Sequence, residues 1–138
     1  MITWSPLAMG MLAGRYDRAD APPPGSRVAR LGSVYAERVT AVALERAQAL
    51  GEVARGADLD PAVMALAWVM QQPGVTAPIV GPRTEGHLDV AWAALETRLS
   101  QDLLGRINAV APPGSSAADF FGNSGWAPGR GVPEAPRQ

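Results

Sequence analysis

Residues 3–16 read TWSPLAMGMLAGRY, and this stretch sets the first expectation for the fold. The apolar and β-branched run from Met1 to Trp4 has strand character, and Ser5 and Pro6 stop it. Several glycines and three consecutive prolines then favour a long loop from Leu7 to Arg30 over a helix. We therefore predict a short buried strand followed by a long loop, a position in which loops are often functional.

Two helices are predicted after this loop. Apolar residues recur at intervals of three and four, with charged residues on the other faces. The predicted inner face of the first helix carries Val39, Val42, Ala43, Ala47, Leu50 and Val53. The second helix follows Asp60, a good N-cap, has proline at its first position and ends before Pro73.

A second strand and two more helices complete the periodic part of the chain. The run from Val75 to Val80 has strand length and β-branched residues, although Pro78 argues against a central ladder position. Thr84 and Ser100 can each cap a helix. The residues predicted to face inward are Leu88, Ala91, Trp92 and Leu95 in the first helix and Leu103, Leu104, Ile107 and Val110 in the second.

The order of these elements indicates the fold class. Strands alternate with pairs of helices, as in a parallel α/β fold. Two strands cannot close a sheet, and a barrel of this class uses eight strands over about 250 residues. Apolar periodicity is lost after residue 110, so we predict a flexible Pro/Gly-rich tail over residues 111–138. The chain is thus expected to be an incomplete α/β architecture.

Composition excludes several kinds of chemistry. With 12 basic and 13 acidic residues, no net field favours nucleic acid or anionic lipid. The absence of cysteine excludes disulfides and thiolate catalysis and fits a cytoplasmic protein, and a single histidine cannot build a metal site. No apolar run reaches the roughly 18 residues of a membrane span, and no signal peptide is visible at the start. No nucleic-acid or membrane partner is expected.

Two segments resemble the aldo-keto reductase family. Residues 3–16 are similar to its seventh-strand motif, especially in the subgroup that includes the potassium-channel beta subunits. Residues 78–95, PIVGPRTEGHLDVAWAAL, resemble its eighth strand and the helix that follows. The resemblance covers Ile2 to about Val110. It implies that residues 1–110 are the C-terminal part of a (β/α)8 TIM barrel, in an NADP-dependent oxidoreductase of carbonyl and alcohol substrates.

The resemblance also implies a cofactor site. Trp4 would stack on the nicotinamide ring, and the loop after it would line the pyrophosphate. Gly81 would admit the phosphate backbone closely, while the Arg83 guanidinium offers two parallel donors to a 2′-phosphate and favours NADP over NAD. The implied cofactor-binding residues are Trp4, Ser5, Pro6, Leu7, Ala8, Met9, Arg15, Tyr16, Arg27, Gly81, Arg83 and His87.

The chain departs from the family pattern in two places. Around the adenosine half, where the family usually has a glutamine, an acid and an asparagine, it carries His87, Val90 and Ala91. Weaker adenine binding is expected, because losing one good polar contact costs on the order of 1 kcal/mol. The family's catalytic tyrosine, lysine, aspartate and histidine all lie in the first half of its barrel. This chain has no lysine, and its tyrosines, Tyr16 and Tyr35, lie in other segments, so no catalytic residue is predicted.

Other interpretations of the same residues stay open. By spacing alone, Trp4 is more typical of core packing than of a nicotinamide platform, and Arg15, Arg27, Arg83 and His87 are more typical of ordinary surface positions. A small carbonyl substrate is expected only if the missing half is supplied. The alternatives are a non-catalytic nucleotide-binding or regulatory module that oligomerises through exposed strand edges, and a gene remnant that does not fold alone.

Overall fold

The computed structural model describes residues 1–32, 37–115 and 117, which form two short strands and five helices. Their bounds are β1 Ile2–Thr3, α1 Arg27–Leu31, α2 Ala41–Arg55, α3 Pro61–Met70, β2 Ala77–Pro78, α4 Glu85–Glu96 and α5 Gln101–Val110, with a 3-10 turn at Ala8–Gly10. The predicted alternation of strands and helices is confirmed. Helix α1 and the 3-10 turn lie inside the stretch predicted to be only loop.

The two strands pair in parallel. Ile2 lies opposite Ala77, and Thr3 lies opposite Pro78. The amide of Thr76 donates to the carbonyl of Met1, and the amide of Ile79 donates to the carbonyl of Thr3, both at 2.7 Å. Neither bond requires an N–H at position 78, which explains how the strand accommodates a proline. In the described residues the sheet has only these two strands and does not close.

The prediction that the first strand is buried is wrong. Thr3 and Pro78, which share a side of the sheet, are half-buried, and α3 packs against β2. The opposite side carries Ile2, which is 65% exposed, and the exposed Ala77. Parallel sheets are normally covered on both faces, so this pair has an open apolar face.

Three small clusters of buried residues hold the helices and the loop together. The first joins the loop after β1 to α1 and α2 through Met11, Tyr16, Val28, Val39, Ala43, Leu44 and Ala47. The second joins α2, α3 and α5 through Ala54, Met64, Ala67, Leu99, Leu103 and Ile107. The third joins α3 to α4 through Val63, Leu66 and Ala94. The long loop is therefore a packed part of the structure.

Side-chain caps define the helix starts as the sequence predicted. The Asp60 carboxylate accepts hydrogen bonds from the amides of Ala62 at 2.7 Å and Val63 at 3.2 Å. Thr84 and Ser100 likewise cap α4 and α5. Each cap satisfies amides that a helix leaves without a partner in its first turn.

Two predicted helix faces are wrong in part. In α2, Val42 is 52% exposed, and Val39 is buried but precedes the helix. In α4, Leu88, Trp92 and Leu95 point outward, and Trp92 is 66% exposed. Helix α4 instead contacts α3 through the buried Ala94, together with Val90. The larger apolar residues of α4 thus form an outer stripe with no cover among the described residues.

The predicted tail lies mostly outside the described residues. Residues 116 and 118–138 are not among them, nor is Tyr35, so the tail's flexibility stays a prediction. Ala117 packs against the first cluster, and its carbonyl accepts a hydrogen bond from Thr40 Oγ1 at 3.1 Å. Among the helices of the described ranges, none has the length and apolar character needed to cross a membrane.

The correction to α2 can be tested with a pair of substitutions. Leu44→Ala is expected to lower the free energy of unfolding by about 2–5 kcal/mol, because it empties part of the first cluster. Val42→Ala should change it by no more than about 0.5 kcal/mol, because Val42 is 52% exposed and outside the cluster. Urea denaturation followed by circular dichroism measures both. Equal losses would contradict the described orientation of α2.

The cap of α5 gives a second test of the fold. The hydroxyl of Ser100 accepts a hydrogen bond from the amide of Leu103 at 3.2 Å. Ser100→Ala should cost about 1 kcal/mol of stability, whereas Ser100→Asp keeps an acceptor there and should be close to neutral. Thermal unfolding of the two variants measures the difference. A destabilised aspartate variant would show that the hydroxyl is not acting as a cap.

Candidate functional site

An open groove of about 840 Å³ lies where the two strands end, between the loop after β1 and the segment after β2. Helices α1, α3 and α4 contribute its remaining walls. The structure brings together most of the residues singled out from the sequence. Those that line the groove are Trp4, Ser5, Pro6, Leu7, Met9, Arg15, Arg27, Gly81, Arg83 and His87. Ala8 and Tyr16 are outside the lining.

The loop after β1 has an unusual backbone. Ser5, Ala8 and Met9 have φ angles of 54°, 46° and 60°. This left-handed region costs a residue other than glycine about 1–2 kcal/mol and is found most often where function requires it. The amides of Ala8 and Gly10 close turns on the carbonyls of Ser5 and Leu7, both at 2.9 Å. Within the described residues, the amides of Leu7 and Met9, two residues of the groove lining, donate no hydrogen bond.

Tyr16 supports this loop from behind. Its ring is 2% exposed and belongs to the first cluster, so it does not meet the groove. Its hydroxyl donates to the carbonyl of Met9 at 3.4 Å. The family resemblance implied that Tyr16 contacts the cofactor, whereas in the structure its hydroxyl supports the backbone that lines the groove.

Gly10 is a groove residue that the sequence analysis missed. Its φ of 101° is one that L side chains rarely adopt, and an added Cβ would lie 3.0 Å from Cδ of Arg15. Glycine here lets the Arg15 side chain lie across the turn. The glycine-rich composition of the loop was the available signal, but composition alone does not show which glycine meets a side chain.

The groove is rich in positive charge. Four arginines line it, namely Arg15, Arg27, Arg30 and Arg83, together with a single carboxylate, that of Asp60. One oxygen of that carboxylate, Oδ1, caps the start of α3. Within residues 1–32, 37–115 and 117, the guanidinium groups of Arg15, Arg30 and Arg83 make no hydrogen bond or ion pair. Such a surface attracts anions.

Arg30 was missed because the sequence predicted loop where α1 forms. Arg27 and Arg30 are three residues apart, which on a helix places them on the same side. The buried Ser26 begins this helix, because its hydroxyl accepts a hydrogen bond from the amide of Ala29 at 3.1 Å. Helix α1 therefore presents two cations to the groove.

A nearby arginine outside the groove shows the contrast. Arg18 donates two hydrogen bonds to the Asp20 carboxylate, at 2.9 and 2.7 Å. These bonds, followed by the arginine charge, lower the pKa of Asp20. Within the described part of the chain, Arg18 is thus paired with a carboxylate of the same loop, unlike the arginines Arg15, Arg30 and Arg83 of the groove.

Trp4 offers a flat surface at the end of β1. Its ring is 56% exposed, and the guanidinium carbon of Arg38 lies 5.8 Å from the ring centroid. That distance is within the range of a cation–π contact, which helps to fix the indole. An exposed, positioned aromatic ring can stack against a planar ligand.

The segment after β2 forms the opposite rim. An added Cβ at Gly81 would meet nothing within 4 Å, so packing of the protein does not require glycine there. The amide of Arg83 donates to Nδ1 of His87 at 3.2 Å, which assigns the ring proton of neutral His87 to Nε2. Helix α4 then begins after Thr84 and directs its positive end toward this rim.

One wall of the groove is apolar. It is formed by Ala62 and Leu66 of α3 and by Val90 and Ala91 of α4. Leu66 belongs to the third cluster and Val90 packs against it, and these contacts hold the wall in place. The groove combines cations, two amides without a hydrogen-bond partner among the described residues, a flat aromatic ring and an apolar wall. It is suited to an elongated ligand with phosphate groups and planar rings.

Comparison with known proteins identifies the family of the chain. The profile described as "Aldo/keto reductase family" matches residues 1–112. The chain is 31% identical over 122 residues to "Uncharacterized oxidoreductase YrpG" of Bacillus subtilis, covering 88% of this chain and 35% of that protein. It is 35% identical over 114 residues to "Protein tas" of Escherichia coli, covering 80% and 31%.

More distant similarity extends to channel subunits. The "Putative voltage-gated potassium channel subunit beta" of Schizosaccharomyces pombe is 26% identical over 113 residues, 78% of this chain and 32% of that protein. The chain spans about a third of the length of each of these relatives. The resemblance seen in the two strand-end segments is confirmed, and the chain belongs to the aldo/keto reductase family.

Proposed function

We propose that this chain is the NADP(H)-binding, C-terminal part of an aldo-keto reductase barrel, formed by its strands 7 and 8 with their helices. The whole enzyme would be an NADP-dependent oxidoreductase of carbonyl and alcohol substrates, acting in the cytoplasm. The observation that carries the proposal is the groove itself. Two segments far apart in the sequence meet at one sheet edge and there combine arginines, free amides and an exposed indole.

The phosphates of the cofactor fit the cationic rim. Arg15, Arg27 and Arg30 face the groove from one side and Arg83 from the other. The amides of Leu7 and Met9 can donate to a pyrophosphate, and a ligand can approach Gly81 closely because it has no Cβ. A forked guanidinium at position 83 would bind a 2′-phosphate with two parallel hydrogen bonds.

The nicotinamide would lie against Trp4, as the resemblance implies. When bound, NADPH supplies the hydride for reduction of a carbonyl. The role of this chain is to hold the ring in place and to fix the phosphates, because it lacks the proton donor and its partners. It contains no lysine, and Tyr16 is buried in the first cluster. Binding of a small carbonyl substrate and proton transfer would depend on the part of the enzyme that carries the family's catalytic residues.

The open apolar face supports the idea of a larger barrel. Ile2, Trp4 and Ile79 are exposed at the strands, and Trp92 and Leu95 are exposed on α4. Exposed apolar patches of this kind usually mark surfaces that another element covers. In a closed barrel the strand residues would face the interior and both strand edges would be paired.

A second candidate is a non-catalytic nucleotide-binding module that assembles through its strand edges. The observation that favours it is that β1 and β2 each have an unpaired edge among the described residues. Sedimentation at several protein concentrations distinguishes the two. A stable, defined oligomer would support the module, and a monomer would support the partial enzyme.

Binding of NADPH tests the proposed function. Fluorescence titration of the 138-residue chain should show saturable binding, with Arg83→Ala weakening NADPH by about 10-fold or more, since hydrogen bonds to charged groups contribute about 1.5–3 kcal/mol. NADH should be little affected by that change. Arg98→Ala, an exposed arginine outside the groove, is the matched control. Equal loss in both variants would contradict a specific role for Arg83.

A substitution at Gly81 distinguishes an effect on ligand binding from an effect on stability. Gly81→Ala should leave the melting temperature unchanged or slightly higher, because the added methyl meets no protein atom and the unfolded chain loses freedom. The same methyl would stand where a phosphate approaches, and we expect several-fold weaker NADPH binding. Gly86→Ala, also in open space but outside the groove lining, is the control. Unchanged affinity in Gly81→Ala would argue against close phosphate contact there.

A further inference from the structure

We propose that the groove binds its nucleotide through the phosphates and makes no selective hydrogen bond to the edge of the purine base. Adenine can therefore be replaced without loss of affinity. This inference rests on the proposed function and concerns the part of the groove between α3 and α4. It predicts a cofactor site that selects for the 2′-phosphate but not for the base.

Among the described residues, the wall that α3 and α4 form in that part of the groove consists of apolar side chains, with His87 at its margin. Ala62 and Leu66 come from α3, and Val90 and Ala91 come from α4. Val90 packs against the third cluster, whose Ala94 is 1% exposed and joins α4 to α3. The helix cannot turn to present another face to the groove without breaking this contact.

Polar groups at the margins of the wall take part in hydrogen bonds within the chain, and the one carboxylate oxygen without a partner among the described residues, Oδ2 of Asp60, belongs to an exposed residue, so we take it to be hydrated. The Asp60 carboxylate accepts the amides of Ala62 and Val63, and the Thr84 hydroxyl accepts the amide of His87. Nδ1 of His87 accepts the amide of Arg83, which leaves only Nε2–H on that ring. A lone donor can meet the ring nitrogens N3 or N7, which adenine and hypoxanthine share. It cannot accept a hydrogen bond from the adenine amine.

Because the groove is open, replacing adenine is expected to change the dissociation constant only slightly. A site built to hydrogen-bond a group rejects an analogue that lacks it by several orders of magnitude, because its own buried polar atoms lose their partner. An apolar wall leaves no such atom unpaired. Among the described residues, positions 85–89, roughly the first one and a half turns of α4, are exposed, so the edge of a base stacked there would stay in contact with water. Exchanging its amine for a carbonyl should therefore cost little.

The test is a titration of the 138-residue chain with three ligands. These are NADPH, its analogue with hypoxanthine in place of adenine, and NADH. We expect the dissociation constants of NADPH and the hypoxanthine analogue to agree within about threefold, and NADH to bind at least 10-fold more weakly. A hypoxanthine analogue that binds 10-fold more weakly than NADPH would overturn the inference and leave the proposed function intact. No binding of any ligand by a folded chain would overturn both.

A variant designed to gain selectivity for adenine provides a second test, which does not rely on the affinities of the unsubstituted chain alone. Ala91→Asn places an amide on the apolar wall, and asparagine can pair with the N6 and N7 positions of adenine. We expect this variant to prefer NADPH over the hypoxanthine analogue by about fivefold or more. Ala93→Asn, exposed on α4 and outside the groove lining, is the control and should show no preference. An Ala91→Asn variant that remains indifferent would place the base elsewhere and overturn the inference.

Discussion

The parallel pairing of β1 with β2 is the constraint on which the rest of the structure depends. Only two residues of each strand pair, yet their register decides which later residues meet. Because parallel strands end at the same edge, the chain leaves β1 at Trp4 and β2 at Ile79 side by side. The loop that follows β1 and the turn that precedes α4 are thereby brought to one groove. A shift of register by one residue would exchange the two faces of the sheet and separate these segments.

The loop after β1 needs a second anchor because its backbone is strained. Left-handed conformations at Ser5, Ala8 and Met9 would relax in an isolated peptide. In the folded chain Met9 packs against the first cluster, and Tyr16 bonds its carbonyl. The core between the loop and α2 therefore opposes this strain, and it also fixes the start of α1 with its two arginines. Packing at a distance from the groove thus determines the geometry of its rim.

Sequence reasoning predicted the local features of this fold well. The caps at Asp60, Thr84 and Ser100 were identified correctly, because a cap depends on a side chain and amides only two or three residues away. The meeting of residues 3–16 with the segment after β2 was also anticipated, but only through the family resemblance. No local signal in the sequence places Trp4 beside Gly81.

The wrong predictions of buried residues share one physical cause. Periodicity shows that a face is apolar, but it does not show whether the same chain covers that face. Ile2, Leu88 and Trp92 were placed inside for this reason, and they are exposed. Arg30 was missed for a different reason. Its position in the groove depends on a five-residue helix, whereas the prolines and glycines before that helix predicted a loop. Both kinds of error concern contacts between distant segments.

The groove and the exposed apolar face lie in different parts of this chain. The groove consists of loops and helix ends at the edge of the sheet, which the three clusters position from within the chain. The exposed apolar face consists of strand residues and the outer stripe of α4, which the described residues leave uncovered. A ligand that binds only the folded form stabilises it by mass action, in proportion to the logarithm of its concentration over the dissociation constant. A ligand bound in the groove would therefore offset part of the destabilising effect of the open face, since both the groove and that face depend on the same β1–β2 pairing.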